Sequence, residues 1–394
     1  MSDHILTFNA GSSSLKFAAY ALGDRDRDPA LALIGQVEKI GGDAHLSAKA
    51  HGETVADQAV PAADHAGATA AILRLIGERL HAAHIPAVGH RVVHGGPLYD
   101  RPVVVTDAIV DELARFNSFA PLHQPHNLAG IAAARAAFPA ALQVACFDTA
   151  FHRAHPFVND VFALPREYYD KGVRRYGFHG LSYEFITGHL AEVAPELAAG
   201  RIAVAHLGNG ASMCAIRAGK SVGSTMGFTA LDGLPMGTRC GQLDPGVLLY
   251  LMDQEGLSAA EISDLLFRRS GLLGLSGISN DMRTLEASDD PAAAQAIDYF
   301  VFRIRRELGA MAAIVGGLDA VVFTGGIGEN SAFIRRSVCR DMDWLGLSID
   351  EDANARNAPE FTAADSQVRV FALKTDEERV IARAAAALLA AAAA

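Results

Sequence analysis

Short apolar runs alternate with longer amphipathic stretches along most of the chain. In the first half, this pattern predicts strands over residues 5–8, 15–20, 88–93 and 143–147. Apolar residues at helical spacing predict helices over 66–84, 107–117 and 127–138. Strands alternating with helices are typical of an α/β fold. The pattern becomes irregular over residues 149–165, where we place a domain boundary.

The second half of the chain begins in the same way as the first. A strand over 201–207, a small-residue turn and a strand over 213–217 match the opening order of strand, turn and strand. This weak repeat leaves duplication and coincidence both open. Further strands are predicted over 319–324 and 368–373, with helices over 331–339 and after Thr375. Thr375 and Glu378 have the spacing of a capping box.

Composition restricts the class of protein. The chain has 394 residues, with 34 Lys and Arg against 45 Asp and Glu, and a net charge of −11. This length predicts two domains, and the acidic balance argues against a nucleic-acid partner. No apolar run reaches the roughly 18–20 residues of a membrane span, the N-terminus lacks the pattern of a secretory signal, and the four cysteines have no CxxC spacing. We therefore expect a cytoplasmic protein without a membrane partner.

Three glycine-rich turns follow β-type runs, at residues 9–14, 208–212 and 325–330. Backbone N–H groups in such turns can approach an anion closely, and Lys16 would place a cation near the first turn. An ordinary hairpin or βα turn is the alternative for each. None completes GxxxxGK[ST] or GxGxxG, so neither a P-loop ATPase nor a Rossmann dehydrogenase is supported. The three turns together favour a site for nucleotide phosphates.

Several charged residues are candidates for a functional site. Arg91 lies in an apolar strand, where it needs a phosphate, a substrate carboxylate or an internal salt bridge. Asp148 directly follows a strand, a favoured site position in open α/β sheets, or it begins a helix as a cap. Glycines flank Arg239 and could present it to a cleft; the alternative is a solvated cation in a loop. His179 lies on a predicted loop, where it is either catalytic or structural. The glutamates at 377–378 could bind magnesium or simply begin a helix.

Nine segments that contain these residues, in this order across 370 residues, resemble the acetate kinase family. They are residues 9–16 (NAGSSSLK), 89–96 (GHRVVHGG), 146–152 (CFDTAFH), 175–180 (RYGFHG), 206–210 (HLGNG), 236–241 (MGTRCG), 281–283 (DMR), 325–330 (GGIGEN) and 375–378 (TDEE).

The resemblance implies a fold of two duplicated actin-like (ribonuclease H-like) domains with the nucleotide in a cleft between them. Residues 1–150 with 380–394 would form the N-terminal lobe, which carries the acyl and phosphate side, with the C-terminal helix packed back onto it. Residues 151–379 would form the C-terminal lobe, which binds the nucleotide and dimerises. The resemblance further implies a homodimer.

The resemblance also implies the reaction: reversible transfer of the ATP γ-phosphoryl group to acetate, giving acetyl phosphate and ADP, with Mg²⁺ or Mn²⁺. Arg91 and Arg239 would hold the acetate carboxylate and the phosphoryl oxygens, and His179 would donate to those oxygens in the transition state. The metal would be positioned, partly through water, by Asn9, Asp148 and Glu377. The nucleotide contacts would be Ser12, Ser14, Lys16, His206, Leu207, Gly208, Asn209, Gly210, Asp281, Met282, Arg283, Gly326, Ile327, Gly328, Glu329 and Asn330.

The acyl pocket is where this chain departs from the family. By resemblance its walls are Val93, Leu122, Phe178 and Ala230. Family members commonly have proline at the last position, in FTPLEG, whereas residues 228–233 read FTALDG here. Loss of the ring should enlarge the pocket, and an extra methylene is worth roughly 1–3 kcal/mol where it fits. We expect acetate as the substrate, with propionate or a broad range of short acids as the alternative.

Two other classes of function are weighed against this one. A sugar kinase on the same scaffold would need a carboxylate base for a hydroxyl acceptor, whereas Arg91 and Arg239 favour a carboxylate acceptor. A nucleotide-binding module without turnover would need no acyl site. Val93, Phe178 and His179 at their motif positions disfavour that module.

Overall fold

A computed structural model describes residues 3–11, 13–23, 28–80, 84–120 and 123–393. The chain divides into two units, one made of Met1–Phe151 with Asp376–Ala394 and the other of His152–Thr375. No helix within the described ranges is both long enough and apolar enough to cross a membrane.

The first unit is built on an eight-stranded sheet. Its strands are β1 (Asp3–Ala10), β2 (Ser14–Ala21), β3 (Ala30–Glu38), β4 (His45–Ala50), β5 (Glu53–Ala59), β6 (His84–Val92), β7 (Val103–Val104) and β8 (Leu142–Phe147). Their order is β5-β4-β3-β2-β1-β6-β8-β7, and β1, β6 and β8 run parallel. The helices are α1 (His65–Arg79), α2 (Asp107–Ala114), α3 (Gln124–Ala137) and the C-terminal helix (Glu377–Ala392).

The C-terminal helix packs on the three parallel strands of the first unit. Val380 and Ile381 lie on its buried face. Gly89 of β6 permits the close approach, since a Cβ at that position would lie 2.4 Å from the Cγ2 atom of Ile381. This packing brings the first turn of the helix, with Glu377 and Glu378, to the ends of strands β1 and β6.

The second unit is built on a five-stranded sheet. Its strands are β9 (Arg201–Leu207), β10 (Ala211–Arg217), β11 (Lys220–Ser224), β12 (Ala320–Thr324) and β13 (Arg369–Ala372), in the order β11-β10-β9-β12-β13. The helices are α4 (Phe157–Asp160), α5 (Arg166–Asp170), α6 (Gly180–Val193), α7 (Pro245–Asp253), α8 (Ala259–Arg268), α9 (Gly271–Ser276), α10 (Met282–Glu286), α11 (Pro291–Val315), α12 (Gly325–Asn330), α13 (Ala332–Cys339) and α14 (Glu351–Ala355).

The two sheets share one connection pattern. Each contains an antiparallel three-strand meander followed by two parallel strands, in the orders β3-β2-β1-β6-β8 and β11-β10-β9-β12-β13. The weak repeat in the sequence therefore reflects a duplicated topology. The predicted fold class, α/β with two duplicated ribonuclease H-like domains, is confirmed.

Three local predictions are wrong. The helix predicted over 66–84 ends at Arg79, and His84 begins β6, because parallel pairing of His84 with Asp3 decides that position. The predicted turn over 325–330 is the helix α12. Its glycines disfavour a helix, but contacts from elsewhere compensate: Arg335 donates to the carbonyl groups of Gly328 and Glu329.

The third wrong prediction is the capping box at the C-terminal helix. Asp376, not Thr375, is the N-cap, and its side chain accepts from the backbone N–H of Arg379 at 3.0 Å. The Glu378 carboxylate accepts instead from the Thr7 hydroxyl at 2.6 Å. Glu378 therefore contacts β1 instead of the N-cap residue, because the packing of the helix places its side chain beside Thr7.

Candidate active site

A charged group of residues lies at the carboxyl ends of three parallel strands in the first unit. Asn9 is near the end of β1, Arg91 is near the end of β6, and Asp148 directly follows β8. Arg91 Nε donates to Asp148 Oδ1 at 3.1 Å, and Arg91 Nη2 donates to Oδ2 at 2.5 Å. Arg91 Nη1 donates to Asn9 Oδ1 at 3.1 Å. The sequence left a phosphate, a substrate carboxylate and an internal salt bridge as possible partners of Arg91, and the structure shows the internal salt bridge, to Asp148. Its carboxylate orients the guanidinium at two points.

The glutamates of the C-terminal helix complete this group. Glu377 Oε2 lies 3.9 Å from Arg91 Nε. Burial raises the pKa of Glu378, and the charge of Glu377 adds to that rise, while the hydrogen bond from Thr7 opposes it. Burial lowers the pKa of Arg91, but the charges of Asp148 and Glu377 outweigh that effect and raise it. We call Asn9, Arg91, Asp148, Glu377 and Glu378 the carboxylate cluster.

The carboxylate cluster has the oxygen donors that a hard divalent cation prefers. Its three carboxylates outnumber the cations Arg91 and Lys16, whose charges both act on Glu378. Mg²⁺ usually keeps several waters and takes only one or two protein carboxylates. Within the described ranges, no group of three or more His, Cys, Asp or Glu side chains is arranged so that it could hold a metal ion by itself. The residues fit a water-rich magnesium site rather than a dedicated cage.

His179 lies in the second unit, on a loop as predicted, where it is the N-cap of α6. Its φ of 58° is in the left-handed region, which costs a non-glycine residue roughly 1–3 kcal/mol. His152 holds the preceding turn, because its Nε2 donates to the Phe178 carbonyl at 3.0 Å. A Cβ on Gly177 would lie 2.6 Å from the His152 ring, so this contact requires glycine there. Strain at His179 is typical of a functional position.

Two strands hold the ring of His179. Ser212 of β10 lies 2.8 Å from His179 Nδ1, and the His206 ring of β9 stacks on it with centroids 4.3 Å apart. Ser212 and His206 face each other across the antiparallel pair. A Cβ on Gly210 would lie 3.2 Å from His179 Nε2, so this nitrogen faces the turn over 208–210. The sequence analysis placed Ser212 in the turn over 208–212, but no local signal indicated that its hydroxyl would contact His179.

A cavity of about 580 Å³ lies beside the same turn, within the second unit. Its lining contains eight of the predicted nucleotide contacts: Gly208, Asn209, Asp281, Met282, Arg283, Gly326, Ile327 and Asn330. Asn280, Glu286 and Ser331 also line it and were not predicted. The predicted contacts His206, Leu207, Gly210, Gly328 and Glu329 are not part of the lining. The cavity therefore brings together chain segments about 120 residues apart, from 208 to 331.

Glu329 turns away from the cavity for a clear reason. Its Oε1 accepts from the backbone N–H groups of Gly325 at 3.1 Å and Thr375 at 3.2 Å. Arg283, in contrast, is exposed at the cavity, and its Nη2 donates to Asp281 Oδ2 at 2.6 Å. This hydrogen bond is the main cause that lowers the pKa of Asp281 to about 2.

The predicted site residues that remain are Arg239, those of the acyl pocket and three nucleotide contacts. Arg239 Nη1 donates to the Ala230 carbonyl at 3.2 Å. Phe178, like Ala230, belongs to the second unit, and Val93 to the first; Phe178 and Val93 are buried. The described ranges do not include Leu122 and Ser12. The two remaining predicted contacts, Ser14 and Lys16, lie on β2.

Known proteins resemble this chain along its whole length. Residues 4–383 match the model of the Acetokinase family. An acetate kinase from Methylocella silvestris is 57% identical over 399 aligned positions, which cover 99% of this chain and 98% of that protein. The crystal structure of Porphyromonas gingivalis acetate kinase matches with a TM-score of 0.89 at 37% identity, covering 98% of this chain and 100% of the other. For a propionate kinase from Francisella tularensis the TM-score is 0.91 at 34% identity, with coverage of 97% and 98%. These matches confirm the resemblance drawn from the nine segments, and the chain belongs to the acetokinase family.

Proposed function

We propose that this chain catalyses the reversible transfer of the ATP γ-phosphoryl group to acetate, giving acetyl phosphate and ADP. Arg91 carries the proposal, because a guanidinium held at two points by Asp148 is an oriented cation at the strand ends. Such a cation suits a carboxylate acceptor, which is ionised at neutral pH and needs no base. A sugar hydroxyl would need one.

Alignment and positive charge are the main requirements of phosphoryl transfer. Arg91 and Arg239 bind the acetate carboxylate and the phosphoryl oxygens, and Asp148 orients Arg91. His179 donates a hydrogen bond to the phosphoryl oxygens as their charge grows. The cavity of the second unit binds the adenosine of ATP or ADP, and the backbone N–H groups of Asn209 and Gly210 bind phosphate, because the Gly208 N–H already donates to the Gly210 carbonyl at 3.0 Å.

Asn9, Asp148 and Glu377 would hold Mg²⁺ or Mn²⁺, partly through water. The bound ion would neutralise charge on the phosphates. The excess of carboxylates over cations in the carboxylate cluster supports this assignment, since a divalent cation would reverse that balance.

The test is formation of acyl phosphate, trapped with hydroxylamine, from ATP and each of formate, acetate, propionate and butyrate. Parallel reactions contain Mg²⁺, Mn²⁺ or a chelator. We expect acetyl phosphate only with metal, and we expect Glu377→Gln to need a higher metal concentration for half-maximal activity. The absence of product with every acid would contradict the kinase assignment and leave a nucleotide-binding module. Equal rates with chelator would contradict the metal assignment.

Ala230 bears on the choice between acetate and propionate. Its backbone N–H donates no hydrogen bond within the described residues, so proline would remove no donor in use. We expect Ala230→Pro to raise the ratio of kcat/KM for acetate over propionate by about 10-fold, because the ring narrows the acyl pocket. Ala332→Pro, at the first position of helix α13, controls for the substitution itself. An unchanged ratio of kcat/KM would contradict the assignment of Ala230 to the wall of the acyl pocket. Propionate equal to or better than acetate in the unaltered protein would favour the second candidate, a propionate kinase.

We also propose a homodimer formed through α7. This helix is rich in apolar residues and buries none of them; Leu249 is 61% exposed and Tyr250 is 54% exposed. Contiguous apolar surface of this kind is typical of a subunit interface. Leu249→Asp should convert a dimer into a monomer in light scattering, whereas Leu98→Asp, at a leucine 60% exposed in the first unit, should not. A monomeric unaltered protein would contradict the proposal.

A cytoplasmic location follows from the donor, because ATP is supplied there. Cell fractionation that recovers the activity with membranes or outside the cell would contradict it.

A further inference from the structure

We propose that Ser212 and Tyr183 are positioning residues for His179, which hold its neutral ring with the proton on Nε2. The inference rests on the proposed function, in which His179 donates to the phosphoryl oxygens. We call the row of side chains Tyr183, Ser212 and His179 the hydroxyl chain.

The hydroxyl chain is short and buried. Ser212 Oγ lies 2.5 Å from the Tyr183 hydroxyl and 2.8 Å from His179 Nδ1. Ser212 and Tyr183 are both completely inaccessible to solvent. His179 is the N-cap of α6 and Tyr183 lies in the first turn of that helix, while Ser212 belongs to β10. Water therefore does not compete for these hydroxyl groups.

The number of protons determines the direction of each hydrogen bond. Burial raises the pKa of Tyr183 well above its ordinary value, so Tyr183 keeps its proton. Among the described residues, Ser212 Oγ is the acceptor within reach of that proton. Ser212 then has its own proton to donate, and His179 Nδ1 is the acceptor. A neutral imidazole that accepts at Nδ1 carries its proton on Nε2.

The opposite tautomer is disfavoured by the same count. If His179 Nδ1 donated to Ser212, three protons would share two contacts, and one buried hydroxyl proton would have no acceptor among the described residues. A buried donor without an acceptor costs about 1–3 kcal/mol. The hydroxyl chain thus selects one of the two neutral forms of His179.

The selected proton lies on the side of the predicted phosphate turn. His179 Nε2 is the atom that a Cβ on Gly210 would approach to 3.2 Å. The stacked His206 ring, tilted by 21° from the His179 ring, supports the ring plane from one face. Nε2–H is therefore the donor that His179 presents beside the turn over 208–210.

Kinetics of hydroxyl-deleted variants test the chain. We expect Ser212→Ala to lower kcat about 10- to 100-fold and Tyr183→Phe about 3- to 10-fold, with KM for acetate and ATP nearly unchanged. The two hydroxyls act in series, so Tyr183→Phe should have no further effect on kcat in the Ser212→Ala background. Tyr176→Phe is the matched control, because the equally buried Tyr176 hydroxyl donates to the Gly172 carbonyl and should leave kcat unchanged. Multiplicative losses in the double variant, or an unaltered kcat in Ser212→Ala, would overturn the proposal.

Nitrogen-15 NMR of histidine-labelled protein without substrate gives a second, independent measurement. The His179 signals are assigned by their loss in His179→Gln. We expect a bare Nδ1 and a protonated Nε2 in the unaltered protein, and a mixture of tautomers in Tyr183→Phe. A protonated Nδ1 in the unaltered protein would overturn the proposal even if the variants failed to fold. Because this spectrum needs no turnover, the expected tautomer without acetyl phosphate formation would contradict the proposed function alone.

Discussion

Replacing Arg91 by glutamine is expected to lower kcat/KM for acetate by about 100- to 1,000-fold, because the variant lacks the oriented positive charge that stabilises the phosphoryl group during transfer. The same change should lower the free energy of unfolding by about 3–5 kcal/mol. The physical reason is Asp148, whose side chain is only 1% exposed and would be left as a buried carboxylate without its guanidinium. Steady-state kinetics and urea unfolding measure the two effects separately.

A second substitution separates stability from function. In Arg91→Gln with Asp148→Asn, a neutral amide pair replaces the ion pair, and most of the lost stability should return. Activity should not return, because neither amide carries the charge. Recovery of kcat/KM in the double variant would contradict the role of Arg91 and would reduce its pair with Asp148 to a structural one.

Lowering the pH from 7.5 to 5.5 is expected to destabilise the fold. Burial lowers the pKa of His90 to about 4 and that of His155 to about 3, and it lowers the pKa of His152 well below the ordinary value. These histidines are neutral when folded and take up a proton near pH 6.5 when unfolded. Their contribution is therefore complete above about pH 6.5 and is lost as the pH falls towards the folded values. Between pH 7.5 and 5.5 each should cost on the order of 1 kcal/mol, or a few kcal/mol in all, reduced by any contribution from Glu378, whose raised pKa acts in the opposite direction.

Urea unfolding at a series of pH values measures this slope. His90→Gln is a matched variant, because a glutamine amide can keep the hydrogen bond that His90 Nε2 makes to Gln143 Oε1 at 2.8 Å. It should remove about one third of the pH dependence and leave the contributions of His152 and His155. A free energy of unfolding independent of pH in this range would contradict the neutral, buried state of the three rings.

Much of the fold could be predicted because its signals are local. The predicted strand over 201–207 is β9 without correction, and most other elements differ only at their ends. The segments 206–210, 281–283 and 325–330 were predicted from short motifs, and eight of their residues line the cavity of the second unit. The end of α1 was mispredicted because the pairing of His84 with Asp3 joins positions 81 residues apart.

Hydrophobic periodicity and the nine motifs, by themselves, determined the α/β class, the duplication as a hypothesis and the family. Tertiary structure alone decided which side chains meet. The hydrogen bond from Arg91 to Asp148 joins residues 57 positions apart in the sequence. Those between Thr7 and Glu378 and between Ser212 and His179 join residues 371 and 33 positions apart. Strand register and helix packing set these contacts, and the free energy that sets them comes from burying whole faces of sheet and helix. No local pattern records which polar groups that burial will bring within hydrogen-bond distance.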